Sequence, residues 1–101
     1  MKACCKEYLL EQFGEEDVAN EIYVEYVNSL TQKIAEIEKA LGACDFTAVD
    51  RAAHAVKGNS LAAGDPAVAE TAIALRNAAK LQEKGESEQL LAKLKEFRAQ
   101  L

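Results

Sequence analysis

A chain of 101 residues bounds a single domain, 1–101, with room for a modest core. Half of its residues are apolar, with one Pro, no Trp and few β-branched runs, a composition that reads as all-helical. The net charge of −5 argues against a general nucleic-acid binder, because phosphate contacts require a basic surface, and no apolar run approaches the roughly 20 residues of a membrane span, so a soluble, cytoplasmic protein is expected.

Five helical segments are predicted in chain order. The first covers about 3–13 and stops at Gly14. The second covers about 16–41, where Tyr23, Val27, Leu30, Ile34, Ile37 and Leu41 form a sustained apolar stripe. Gly42 is its expected C′ glycine. Asp45 is placed to cap the third segment, about 45–63, whose stripe is Phe46, Val49, Ala53, Val56, Ser60 and Ala63. After Gly64, Asp65-Pro66 reads as N-cap and N1 of a fourth helix running to about 84, with Val68, Ala72, Leu75 and Ala79 as its stripe. Gly85 is expected to end it and Ser87 to cap a fifth, whose apolar face is Leu90, Leu94, Phe97 and Leu101. Four amphipathic helices with short connections imply an antiparallel up-down-up-down bundle, with the short first helix packed across one end.

The third segment carries the only histidine, His54. At about 100° per residue it points roughly 130° away from the middle of its helix's apolar stripe. Lys57 and Gly58, three and four residues on, share that outward surface. A mid-helix glycine is about 1 kcal/mol worse than Ala, so close approach by another molecule is the natural reason for Gly58, against the plainer alternative of a solvated histidine beside a chance glycine. Ser60 falls on the core stripe, where a hydroxyl back-bonding to its own helix is expected. Arg51, Lys57 and Arg76 would set positive charge around His54 in a net acidic protein. Leu61 is either an apolar partner contact or buried against a neighbouring helix.

Cys4, Cys5 and Cys44 make neither an even disulfide set nor a CxxC, and reduced thiols are the simplest reading. A metal site on Cys4, Cys5 and His54 lacks ligand spacing and a fourth donor. There are no paired carboxylates at motif spacing and no nucleotide loop, and the charged run at 80–89 reads as a solvated face.

The run His54, Lys57, Gly58, Ser60 and Gly64 resembles the core pattern of the histidine-containing phosphotransfer (HPt) domain family. Tyr8-Leu9-Leu10-Glu11-Gln12-Phe13-Gly14 resembles that family's opening helix and turn, and Leu41-Gly42-Ala43-Cys44-Asp45-Phe46 the turn into the histidine helix. The resemblance implies a phosphorelay carrier rather than an enzyme with its own turnover: His54 accepts a phosphoryl group from a receiver-domain phosphoaspartate and passes it to another receiver. It implies response-regulator receivers and a hybrid sensor histidine kinase as partners, a monomer, no cofactor on this chain, and Mg²⁺ on the partner receiver. Lys57 would neutralise phosphoryl oxygens, Gly58 would give clearance, and Arg51, Leu61, Arg76, Tyr8 and Leu9 would meet the partner. An adaptor that binds a receiver or kinase without obligatory phosphorylation is the alternative. Two positions depart from the family. Arg76 stands where Gln or Glu often hydrogen-bonds the imidazole Nδ1, and it would either meet the phosphoryl group or reach to solvent, with Asp50 able to replace it as the Nδ1 acceptor. Asp65-Pro66 follows Gly64 where an apolar or small residue is commoner, and is expected only to sharpen the turn.

Overall fold

The computed structural model describes residues 1–101 as five helices: α1 (Ala3–Phe13), α2 (Glu16–Gly42), α3 (Phe46–Ala62), α4 (Pro66–Lys80) and α5 (Lys84–Ala99). Short turns make consecutive helices antiparallel. Contacts run α2 to α3, α3 to α4, α4 to α5 and α5 back to α2, which closes a four-membered ring, while α1 packs on α2 alone among the helices. The bundle is elongated, 42 × 20 × 18 Å.

The stripes meet along the bundle axis as their spacing requires. Tyr23, Leu30, Ile34, Ile37 and Leu41 of α2 are buried with Val49, Ala53 and Val56 of α3, Val68, Ala72 and Leu75 of α4, and Leu91 and Leu94 of α5. Burial of this kind is worth roughly 1.5–3 kcal/mol for each large aliphatic side chain, and it holds four helices that would be marginal alone. Ser60 is fully buried and its hydroxyl donates to Val56 O at 2.7 Å, the back-bonding expected of it.

The turns depart from the sequence expectations in three places, each with a local cause. Gly42 stays inside α2, and the left-handed residue is Cys44 (φ 54°). That placement brings Asp45 N to Ala40 O at 2.8 Å and frees the Asp45 carboxylate to accept from Ala48 N at 3.1 Å, the expected cap of α3. The fourth helix ends at Lys80, not near 84, because its apolar stripe ends at Ala79; Leu81 beyond it is 71% exposed and Gln82 takes the left-handed turn (φ 55°). Gly85 therefore lies in the first turn of α5 rather than ending α4, and Ser87 is a buried helical residue rather than a cap.

The Ser87 hydroxyl is the buried side-chain group left without a hydrogen-bond partner. An unpaired buried hydroxyl costs about 1–3 kcal/mol, and Ala fills nearly the same volume with better helix propensity. Ser87→Ala is expected to raise stability by about 1 kcal/mol in chemical denaturation.

The third departure is Asp65. It occupies the N-cap position of α4 with Pro66 after it, but its side chain makes no capping bond. The carboxylate is wholly buried, taking the Lys2 ammonium on Oδ1 at 2.6 Å and the Tyr26 hydroxyl on Oδ2 at 2.7 Å. Far from merely sharpening a turn, Asp65 ties the start of α1 and the middle of α2 to the α3–α4 connection. The Cys5 thiol lies beside it and donates to Gly64 O at 3.9 Å. Lys2 N also donates to Tyr23 Oη, which in turn donates to Leu101 O, each at 3.2 Å, so both chain ends meet at this end of the bundle.

Candidate functional site

His54 sits in the middle of α3 and is exposed, as its angle from the apolar stripe requires. Arg51, Gly58 and Leu61 follow the same outward ridge at helical spacing, and all three are exposed. A Cβ built on Gly58 meets nothing within 4 Å, so nothing inside the protein demands a glycine there. Leu61 is 53% exposed, which settles it as surface.

The two flanks of the ridge differ. On the α2 side, Asn59 Nδ2 donates to Ser29 Oγ at 2.9 Å. On the α4 side, Arg76 Nε donates to Asp50 Oδ1 at 2.9 Å. Asp50 and Lys57 are seven residues apart, two turns of α3, and so stand in one column on the α4 side. His54 lies between them in height, one turn past Asp50 and just short of one turn before Lys57. Arg76 therefore neither points free to solvent nor stands alone beside the imidazole: its charge is paired, and Asp50 is not an unengaged acceptor. Of the three cations expected around His54, Arg76 is thus paired with a carboxylate. Lys57 is half-buried and Arg51 exposed.

At the C-terminal end of the ridge, α1 is pressed against the α3–α4 turn. Gly64 has φ 73°, and a Cβ there would collide with the Tyr8 side chain, so only glycine allows both the turn and the contact. Tyr8 is fixed there at 37% exposure. Leu9, next to it, is wholly buried in the core and is not available to a partner, contrary to expectation, because the α1 stripe that packs on α2 runs through Cys5 and Leu9.

None of the principal clefts takes in His54. One of about 430 Å³ lies between the end of α2 and the start of α3 and takes in Lys39, Ala40, Asp45 and Arg51. No group of three or more His, Cys, Asp or Glu side chains is close enough to hold a metal ion. The three cysteines are free thiols, with Cys5 buried and Cys44 exposed. Burial, reinforced by the Asp65 carboxylate, pushes the Cys5 thiol up to about 12.

Sequence reasoning missed the cluster of Lys2, Asp65 and Tyr26. Its signal was the departure at Asp65-Pro66, a carboxylate where an apolar or small residue is commoner, together with a tyrosine on an apolar stripe that needs a partner for its hydroxyl.

The bundle thus displays its one histidine on the outward face of α3, with a lysine and a bare glycine on the next turn. Residues 21–101 match the family model of the Hpt domain, and the chain belongs to that family. Hpt domains have a histidine phosphotransfer role in phosphorelays, are phosphocarriers rather than enzymes, and interact with receiver domains and histidine kinases. No curated protein and no solved structure matches the chain. No helix is long and apolar enough to cross a membrane.

Proposed function

We propose that this chain is a phosphorelay carrier that takes a phosphoryl group on His54 from the phosphoaspartate of one receiver domain and gives it to another. The exposed position of His54 on α3, with Lys57 and Gly58 on the next turn, is the observation that carries the reading. A neutral imidazole with its proton on Nδ1 presents a nucleophilic lone pair on Nε2. The N–P bond forms as the P–O bond to the aspartate breaks. The carboxylate leaves with the electron pair, the ring keeps its Nδ1 proton, and transfer to the second receiver reverses each change. Catalysis here is positioning and charge neutralisation. Lys57 supplies a cation one turn along, worth about 1.5–3 kcal/mol as a charge-assisted hydrogen bond to a phosphoryl oxygen. The Mg²⁺ and the acidic pocket belong to the receiver, and this chain carries no cofactor. Arg51 on the ridge complements that acidic pocket, and Leu61 and Tyr8 extend the contact toward α1. The chain acts as a monomer in the cytoplasm, with a hybrid sensor kinase and response-regulator receivers as its partners, in keeping with three unpaired thiols.

The test is incubation with receiver domains labelled from radioactive acetyl phosphate. Acid-labile, base-stable label on this chain is expected. A chain that binds receivers but takes no label would be an adaptor, and the carrier reading would be wrong. Gly58 gives a sharper result. Gly58→Ala and Gly58→Gln should both fold, with stability raised by up to about 1 kcal/mol for Ala, since the site is open. Gly58→Gln should slow transfer from a receiver by about tenfold or more, because its side chain stands where the rim of the receiver must come. An undiminished rate would remove the clearance role.

A further inference from the structure

We propose that Asp50 is a positioning residue: its carboxylate holds the Arg76 guanidinium beside His54 so that the remaining nitrogens of Arg76 meet the phosphoryl oxygens. This rests on the carrier reading of His54. Arg76 Nε reaches Asp50 Oδ1 at 2.9 Å, and the two side chains are 23% and 30% exposed, so the pair is half-sheltered between α3 and α4. A guanidinium carries five N–H donors, and the bond from Nε uses one. Four remain on the terminal nitrogens, in the planar fork that suits phosphate. Asp50 lies one turn before His54 and Lys57 nearly one turn after it, on the same flank, so the residue that holds the guanidinium and the lysine stand on either side of His54 along the helix.

The pair also resolves a conflict of charge. A lone carboxylate one turn from a phosphohistidine would repel the incoming dianion. With Arg76 bound, Asp50 is neutralised and becomes a holder. An unheld arginine would have to give up rotamer freedom each time it met a phosphoryl group, whereas here much of that ordering is already made in the unphosphorylated protein. The arginine at this position is thus used together with a carboxylate from the neighbouring helix, and neither side chain is meaningful without the other.

Phosphoramidate, a small phosphoryl donor to accessible imidazoles, tests the pair without any docking partner. Formation and hydrolysis of phosphohistidine are followed in the parent, Asp50→Ala, Asp50→Asn, Arg76→Ala and the Asp50→Ala/Arg76→Ala double variant, with His54→Gln as the unlabelled control. Each alanine single variant should form phosphohistidine about tenfold more slowly or lose it about tenfold faster, as removal of one charge-assisted hydrogen bond predicts. The double variant should be no worse than either single one, because the two act as a unit. Asp50→Asn keeps an oxygen that can accept from Nε and should stay within about threefold of the parent. An Asp50→Ala protein that reacts at the parent rate or faster overturns the inference, since Asp50 would then be a bystander or a repulsive charge. Lowered melting temperatures with unchanged rates overturn it too, by making the bridge structural. A parent that takes label at positions other than His54 is a different failure, that of the carrier reading itself.

Discussion

His54→Gln is expected to fold as the parent does and to take no phosphoryl group from any receiver. The first half follows from the ring's exposure: removing a solvated side chain from the convex face of α3 leaves the apolar stripe untouched, and surface changes of this kind usually stay within about 0.5 kcal/mol. Gln also favours a helix at least as well as His. The second half follows from chemistry. The carboxamide of Gln has no basic lone pair to attack phosphorus, and this is the only imidazole of the chain. The effect is therefore all or none, larger than that of truncating Lys57 or Arg76, either of which would slow transfer by about one decade. Circular dichroism and thermal melting check the fold, and acid-labile label checks transfer. Label that persists in the variant, or that resists acid, would assign the chemistry to another residue.

Much of the arrangement around His54 is legible in the sequence because it depends on one helix. A period of 3.6 residues decides which way His54, Gly58 and Leu61 face, and the spacing of apolar residues in α2, α3 and α4 marks the core stripes almost residue by residue. What is not legible depends on two elements meeting. The Asp50–Arg76 bridge joins α3 to α4, whereas the sequence offers Arg76 a phosphoryl contact or solvent and Asp50 a bond to the imidazole, with nothing to pair the two. Leu9 reads as a partner residue beside the exposed Tyr8, yet adjacent helical residues differ by about 100° in direction, and packing on α2 takes Leu9 inward. Helix ends mislead for a related reason. Gly42 and Gly85 have the residue type of a stop signal, but the αL positions fall on Cys44 and Gln82, where the stripes run out and the next helix can be reached.

The cluster at the end of the bundle carries the largest expected effect on stability. Lys2→Met removes the ammonium from a carboxylate that has no exposure of its own, leaving Asp65 with the Tyr26 hydroxyl alone. Removing one partner of a buried pair costs about 3–5 kcal/mol, and because Lys2 itself is partly open to water the lower figure, about 3, applies. For a domain of this size that is a melting shift of roughly 12–24 °C, a large part of a total stability of about 5–15 kcal/mol. Adding Asp65→Asn should recover at least half of the deficit, since the amide removes the stranded charge while its oxygen still accepts from Tyr26. If Lys2→Met melts as the parent, the ion pair contributes nothing to the hold on α1. The same cluster sets an alkaline limit. Burial and the Asp65 charge push the Cys5 thiol from 9.0 to about 12, and burial together with its bond to Asp65 pushes the Tyr26 hydroxyl upward as well. Lys2 is raised too, burial opposing but the bond and charge of Asp65 prevailing. In each case the folded protein holds its proton at a pH where the unfolded chain has released it, so the stabilisation is complete below pH 9 and is lost progressively as pH rises toward about 12. Denaturation midpoints should be level from pH 7 to 9 and fall beyond it. Cys5→Ala should remove the earliest part of that fall, and a midpoint that does not move between pH 9 and 11 would show that the cluster is not linked to stability.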